Sequence, residues 1–205
     1  MDLHDVQRRL QDEGLYGGAI DGLMGPKAMA GMMCSAAGAR SPTAVMTAMA
    51  PAIVAILPVA ALTTPLRICH FLGQATEETD YWKTLVEYGG PTYCAIYDGR
   101  KDLGNTEPGD GYRYRGRGPF QLTGRADYEL IGRLLGLDLV TYPDKVLDPD
   151  IGAATAAAYW NHDNVNQWAD VDNLARVTRL VNGGTNGLPA RTETLRRLKA
   201  LWGLI

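Results

Sequence analysis

Residues 66–90 read LRICHFLGQATEETDYWKTLVEYGG, and how this stretch folds decides where its carboxylates face. Its apolar residues recur at helical spacing, which predicts a helix over about 65–80. At 100° per residue, Phe71 and Glu78 lie roughly 700° apart, about 20° short of two turns. Glu78 therefore shares a face with Phe71, Ala75 and Trp82, while Glu77 points about 100° away. A carboxylate on an apolar stripe is desolvated, which favours its neutral form, the condition a general acid needs near neutral pH. The plainer structural alternative is a carboxylate at the edge of the stripe, held in a salt bridge.

Paired-carboxylate hydrolysis of a sugar linkage needs a second acid across a gap of ~6.5–9.5 Å if a water is to fit between them. Glu87 follows nine residues after Glu78. On an unbroken helix it would sit ~13.5 Å along the axis and on the opposite side. The helix must then end near Trp82–Leu85 for the two to meet, and the run to Tyr88-Gly89-Gly90 permits such a break. Asp80, Asp98, Asp102 and Asp110 compete for the base role.

Working outward, the chain has 205 residues, with 20 Lys+Arg against 23 Asp+Glu and a formal net charge of −3. That balance argues against a nucleic-acid binder, which would carry a strong basic excess. Three cysteines (Cys34, Cys69, Cys94) are too few for a disulfide framework, and reduced thiols are expected. His4, His70 and His162 lie far apart, so no metal is expected. Met1-Asp2-Leu3-His4-Asp5 lacks the basic and apolar regions of a secretory leader. The expectation is synthesis in the cytoplasm and action elsewhere only after release by another route.

The longest uncharged run, Ala44–Leu62, approaches bilayer-spanning length, but Pro51 and Pro58 interrupt it. Pro51 suits the first turn of a helix and Pro58 a stop. Buried core helices are expected here, with no stable membrane insertion. Further helices are predicted near 51–57, 124–136, 149–162, 172–182 and 190–202. Residues 1–40 read as a small two-helix unit, with Gly38–Thr43 as a linker to a larger part over 43–205. Between Tyr88 and Gly118 lies a Gly-, Asp- and Tyr-rich region without helical period, where Tyr112–Arg115 and Phe120–Leu122 look like short extended segments.

Three segments together are familiar. FLGQATEET (71–79), RGRGPFQLTGRADY (115–128) and VTRLVNGGTNGLPAR (177–191) resemble, in order, the three signatures of glycoside hydrolase family 19. That family comprises chitinases and related bacteriophage endolysins, and the GRADY variant is similar to the endolysin branch. The resemblance implies a mostly α, lysozyme-like (α+β) fold: a two-lobed helical catalytic domain with a small β element. It also implies an inverting mechanism without a cofactor. Glu78 would be the general acid and Glu87 the base that activates water. Thr123 would help hold that water, while Gln121, Asn182, Arg191 and Tyr128 would bind sugar or support the carboxylates. Two positions depart from the family pattern: Glu77 replaces a histidine, and Asp127 an asparagine.

VQRRLQDEGLYGGAIDGLMGPKAMAGM (6–32) resembles the common peptidoglycan-binding repeat, shortened, with Asp21, Gly22 and Gly25 at matching positions. It implies a wall polymer as partner and makes residues 1–40 a small N-terminal helical domain. The resemblances imply a monomeric endolysin that cuts β-1,4 bonds of peptidoglycan strands at the bacterial wall. A chitinase, or a wall-binding protein without catalysis, are the alternatives. Arg191, Arg196, Arg197 and Lys199, set against Glu193, read as a solvated basic face of the last helix.

Overall fold

The computed structural model describes residues 2–205. Its helices are α1 (Leu3–Asp12), α2 (Pro26–Ala37), α3 (Ala44–Ile56), α4 (Pro65–Glu78), α5 (Pro91–Cys94), α6 (Asp110–Arg113), α7 (Arg125–Leu135), α8 (Pro149–His162), α9 (Asn166–Ala169), α10 (Leu174–Asn182) and α11 (Leu188–Leu201). Local chemistry sets most of their starts. Asp2, Thr43, Thr64, Asp148 and Asn173 each cap a first turn by accepting a backbone N–H. Pro26, Pro65, Pro149 and Pro189 occupy early helical positions where no N–H is required.

Two apolar clusters define two lobes. The larger runs from Val6 and Leu10 through Met29, Met32, Met49 and Ile53 to Phe71, Trp82, Trp160, Leu198 and Trp202. The smaller gathers Tyr114, Leu122, Tyr128, Ile131, Leu139 and Val146. Helix α8 joins them: Ala153, Ala156 and Trp160 belong to the larger cluster, Ile151 and Ala158 pack against the smaller, and Tyr159 touches both. Among the described residues the β content is a pair of isolated bridges, Val86 with Arg117 and Arg117 with Leu122.

Residues 38–43 join α2 to α3, and α1 and α2 contribute side chains to the same core as α4 and α11. Several expectations are corrected. Helix α3 begins at Ala44 because Thr43 caps it, so Pro51 falls inside the helix and not in its first turn. It stops at Ile56, before Pro58, and among the described residues no helix is long and apolar enough to cross a membrane. Tyr112–Arg115 is not extended. Asp110 accepts the N–H groups of Thr106 and Glu107 and pairs with Arg125, which winds α6 instead.

The largest correction concerns the end of α4. The helix stops at Glu78, and Asp80, Tyr81 and Trp82 follow with φ of 46°, 58° and 62°. Three successive left-handed non-glycine residues cost on the order of 1–2 kcal/mol each. Trp82 thus leaves the helical stripe, yet it is fully buried. Its indole N–H donates to Thr76 Oγ1 at 2.9 Å and its backbone N–H to Thr79 Oγ1 at 3.0 Å. Thr43 Oγ1, the cap of α3, donates to its carbonyl at 2.7 Å. Removing a buried Trp side chain costs about 3–5 kcal/mol, comparable to the strain. Trp82→Ala should therefore lower unfolding free energy by about 3–5 kcal/mol in urea titration.

On α4 the buried His70 meets Asp172 Oδ1 at 3.0 Å, and Lys199 pairs with the same carboxylate. Burial outweighs the Asp172 contact and holds the imidazole below its ordinary value, ~6.5 in model peptides. As pH falls through ~6.5 the unfolded chain binds the proton first, so native stability declines below that point until His70 itself protonates. Between pH 7 and 5 the wild type should lose more unfolding free energy than His70→Gln; parallel losses in chemical denaturation would refute this.

Candidate active site

A cleft of about 650 Å³ separates the lobes. One wall is formed by the end of α4 (Glu77, Glu78), Tyr159 of α8 and the end of α10 (Val181, Asn182, Gly183). The other holds Thr84, Val86–Tyr88, Tyr97, Leu103, Gly116, Phe120–Thr123 and Asp127. The structure thus brings Glu78, Glu87, Gln121, Thr123 and Asn182 to one space.

Glu78 does not sit in the apolar setting that helical phase suggested. Arg191 Nη2 donates to its Oε1 at 2.6 Å, and Asn182 Nδ2 to the same oxygen at 3.3 Å. Arg191, 4% exposed, also donates to Gln74 Oε1 at 2.6 Å and to the Asn186 carbonyl at 3.0 Å. Gln74 in turn donates to Thr178. A buried guanidinium needs such a full set of acceptors. Both donors use Oε1, and Glu78 lines the cleft. Asn182 Oδ1 has no partner among the described residues.

Glu87 is held by backbone. Its N–H donates to the Gly116 carbonyl, and the Gly116 N–H returns a bond to its Oε2, both at 2.9 Å. Tyr97, which sequence reasoning missed, donates its hydroxyl to Oε1 at 2.9 Å. Burial and then this contact push the Tyr97 phenol up to about 12, so it remains a donor. A Cβ at Gly116 would lie 2.7 Å from Gln121 Oε1, so a larger residue there would displace the Gln121 side chain.

Gln121 adopts φ of 50°, and its Nε2 donates to the Gly118 carbonyl at 3.0 Å. Thr123 Oγ1 donates to the Gln121 carbonyl at 2.7 Å, so its lone pairs remain available as acceptors. Arg117 organises this loop and was also missed. It is nearly fully buried, donates to the Arg113 and Arg115 carbonyls and to Tyr128, and pairs with Asp144. No local periodicity marks it, because Tyr128 and Asp144 reach it from elsewhere in the chain.

Other expected residues lie elsewhere. Tyr128 is fully buried and does not line the cleft; its hydroxyl joins Arg117 to the Arg115 carbonyl. Asp98 accepts the N–H groups of Gly109 and Gly111, Asp102 pairs with Arg100, and Asp110 pairs with Arg125. These three do not line the cleft either, whereas Asp80 does. Asp21 Oδ1 accepts from Gln7 Nε2 at 2.7 Å and from the Leu23 N–H, and the Gly22 N–H donates to Gln7 Oε1. With Gly25 at the start of α2, they fix the loop between the first two helices.

The two departures both line the cleft. Glu77 Oε1 accepts from Thr194 of α11 at 3.2 Å. Burial, then the charge of Asp163, pushes the Asp127 carboxyl above its ordinary value. Of the basic residues of α11, Arg196 and Arg197 pair with Glu193, and Lys199 with Asp172. Among the described residues no group of three His, Cys, Asp or Glu side chains converges as a metal set.

Two helical lobes thus face each other across a groove that both Glu78 and Glu87 line, one carboxylate bound by arginine and the other by backbone N–H and a phenol. Residues 32–173 match the glycosyl hydrolase family 19 profile, described as chitinase class I, and the chain belongs to that family. The matched span begins inside α2 and ends before α10. A glycosyl hydrolase family 19 domain-containing protein of Haemophilus influenzae is 36% identical over 104 residues, 50% of each chain. Chitinase 11 of Oryza sativa is 33% identical over 141 residues, covering 57% of this chain and 51% of its own. The chain spans about half the length of these curated relatives. Chitinase C of Streptomyces griseus shares the fold with a TM-score of 0.66 at 21% identity, covering 85% of this chain and 91% of that one.

Arg191→Ala should strand Glu78 and Gln74 without their buried donor. Breaking such a pair costs about 3–5 kcal/mol, measurable as an equal fall in unfolding free energy. Arg191→Lys, lacking the planar fork, should recover only part of it.

Proposed function

We propose that the protein hydrolyses β-1,4 glycosidic bonds of bacterial peptidoglycan by single-displacement inversion, as an endolysin that breaks the host wall. The observation that carries this reading is the placement of Glu78 and Glu87 in one cleft with distinct supports. Glu78 delivers a proton from Oε2 to the bridging sugar oxygen. Arg191, bound to Oε1, then stabilises the carboxylate that forms. Glu87, steadied by Tyr97 and the Gly116 N–H, takes a proton from water attacking the opposite face of the sugar. Thr123 accepts a hydrogen bond from that water. Asn182 and Gln121 both line the cleft, where their side chains border the sugar that Glu78 protonates.

Peptidoglycan is preferred over chitin because of the endolysin-like 115–128 segment and the resemblance of residues 6–32 to a wall-binding repeat. Under that reading residues 1–40 add wall affinity, raising local substrate concentration, and the monomer reaches the wall after release from the cytoplasm. Chitin is the second reading, favoured by relatives named as chitinases.

Purified protein incubated with peptidoglycan and with chitin, followed by mass spectrometry of the new sugar ends, separates the two. Cleavage of chitin alone would remove the wall reading. Glu78→Gln should lower hydrolysis by about 10²–10⁴-fold while wall pelleting is retained. Proton NMR of the first product should show the α-anomer, as inversion at a β-linkage demands.

A further inference from the structure

One contact at the cleft rim serves neither the acid nor the base directly. Asp80 follows Glu78 by two residues, inside the left-handed turn, and Tyr88 follows Glu87 by one. The Tyr88 hydroxyl donates to Asp80 Oδ2 at 2.9 Å. Lys83 Nζ reaches both Asp80 oxygens at 3.2 Å, a solvent-exposed pair that adds little. The contact closes the loop between the two carboxylates at its ends. Both residues line the cleft, and the Tyr88 side chain remains 62% exposed. Gly89, at φ of 106°, turns the chain away at once; a Cβ there would lie 2.5 Å from the Tyr93 ring.

We propose that Tyr88 is a positioning residue whose hydroxyl, bound to Asp80, clasps the Glu87 segment to the turn behind Glu78, while its ring offers a sugar-stacking face. This rests on the acid–base reading of Glu78 and Glu87. The left-handed turn is pinned on its inner side by Trp82 and Thr43, but on its cleft side Asp80 has only Tyr88 and Lys83 among the described residues. Releasing the hydroxyl frees residue 88, and through it the adjacent Glu87 side chain, to shift against the acid. Misplacement of a reacting group by about 1 Å costs up to ~10²-fold in rate. The hydroxyl therefore acts on kcat and the ring on KM. Contact with Asp80 holds the Tyr88 phenol above and the Asp80 carboxyl below their ordinary values, consistent with the tyrosine as donor.

Steady-state kinetics on whichever of peptidoglycan or chitin the wild type cleaves tests this, with thermal melting of each variant confirming the fold. Tyr88→Phe should lower kcat about tenfold or more with KM within about twofold. Tyr88→Ala should lower kcat alike and raise KM several-fold. Asp80→Asn, whose amide oxygen still accepts the hydroxyl, should stay near wild type, whereas Asp80→Gly, which keeps the left-handed backbone, should fall with Tyr88→Phe. The double variant Tyr88→Phe/Asp80→Gly should be no slower than the slower single, since both remove one bond. Wild-type kcat in Tyr88→Phe, losses that multiply, or Asp80→Asn as slow as Asp80→Gly would each overturn the clasp. Glu87→Gln is measured alongside. Full activity there overturns the acid–base reading itself, while an inactive Glu87→Gln beside an unimpaired Tyr88→Phe overturns the clasp alone.

Discussion

The site depends on the chain reversing direction immediately after Glu78. Had α4 continued, Glu87 would lie on the far side of the helix and ~13.5 Å along it. Instead three left-handed residues, none of them glycine, turn the backbone back toward the cleft. Such a turn is unfavourable in isolation. It persists because Trp82 is fully buried in the larger core and because threonine hydroxyls at 43, 76 and 79 satisfy its polar atoms. The strain at the site is thus offset by packing in the lobe behind it.

Two buried arginines hold the two walls. Arg191, from α11, ties Glu78 to Gln74 and to the loop before it. Arg117 ties the 113–117 backbone to Tyr128 and Asp144 in the smaller lobe. Each guanidinium lies out of water, so each must find several acceptors, and those acceptors become fixed in place. One carboxylate is therefore oriented by a charged side chain and the other by backbone N–H and phenol donors. Two carboxylates with different supports suit different proton-transfer tasks.

The first two helices show how resemblance and packing answer separate questions. Residues 6–32 are proposed above as a wall-binding repeat on resemblance alone, with Asp21 and Gly22 at the positions that suggest it. In the fold Gln7 binds both, and Val6, Leu10 and Met29 enter the core that contains Phe71 and Leu198. The pattern is compatible with a hairpin that stands alone, and only the partners of its apolar face reveal that this one is packed against the catalytic helices.

By itself the sequence determined the helical segments, since hydrogen bonds between residues four apart, capping side chains and proline positions are local properties. It also placed Glu78 near a helix end, permitted a break before Glu87, and marked a Gly-, Asp- and Tyr-rich region without helical period between Tyr88 and Gly118. Tertiary structure decided the hand and position of the turn, the arginine rather than the apolar surroundings of Glu78, the burial of Tyr128 and the part played by Tyr97. The reason is distance along the chain. Thr43 meets Trp82 across 39 residues and Arg191 meets Glu78 across 113, and no spacing rule read within a single segment reaches contacts that only the packed core brings together.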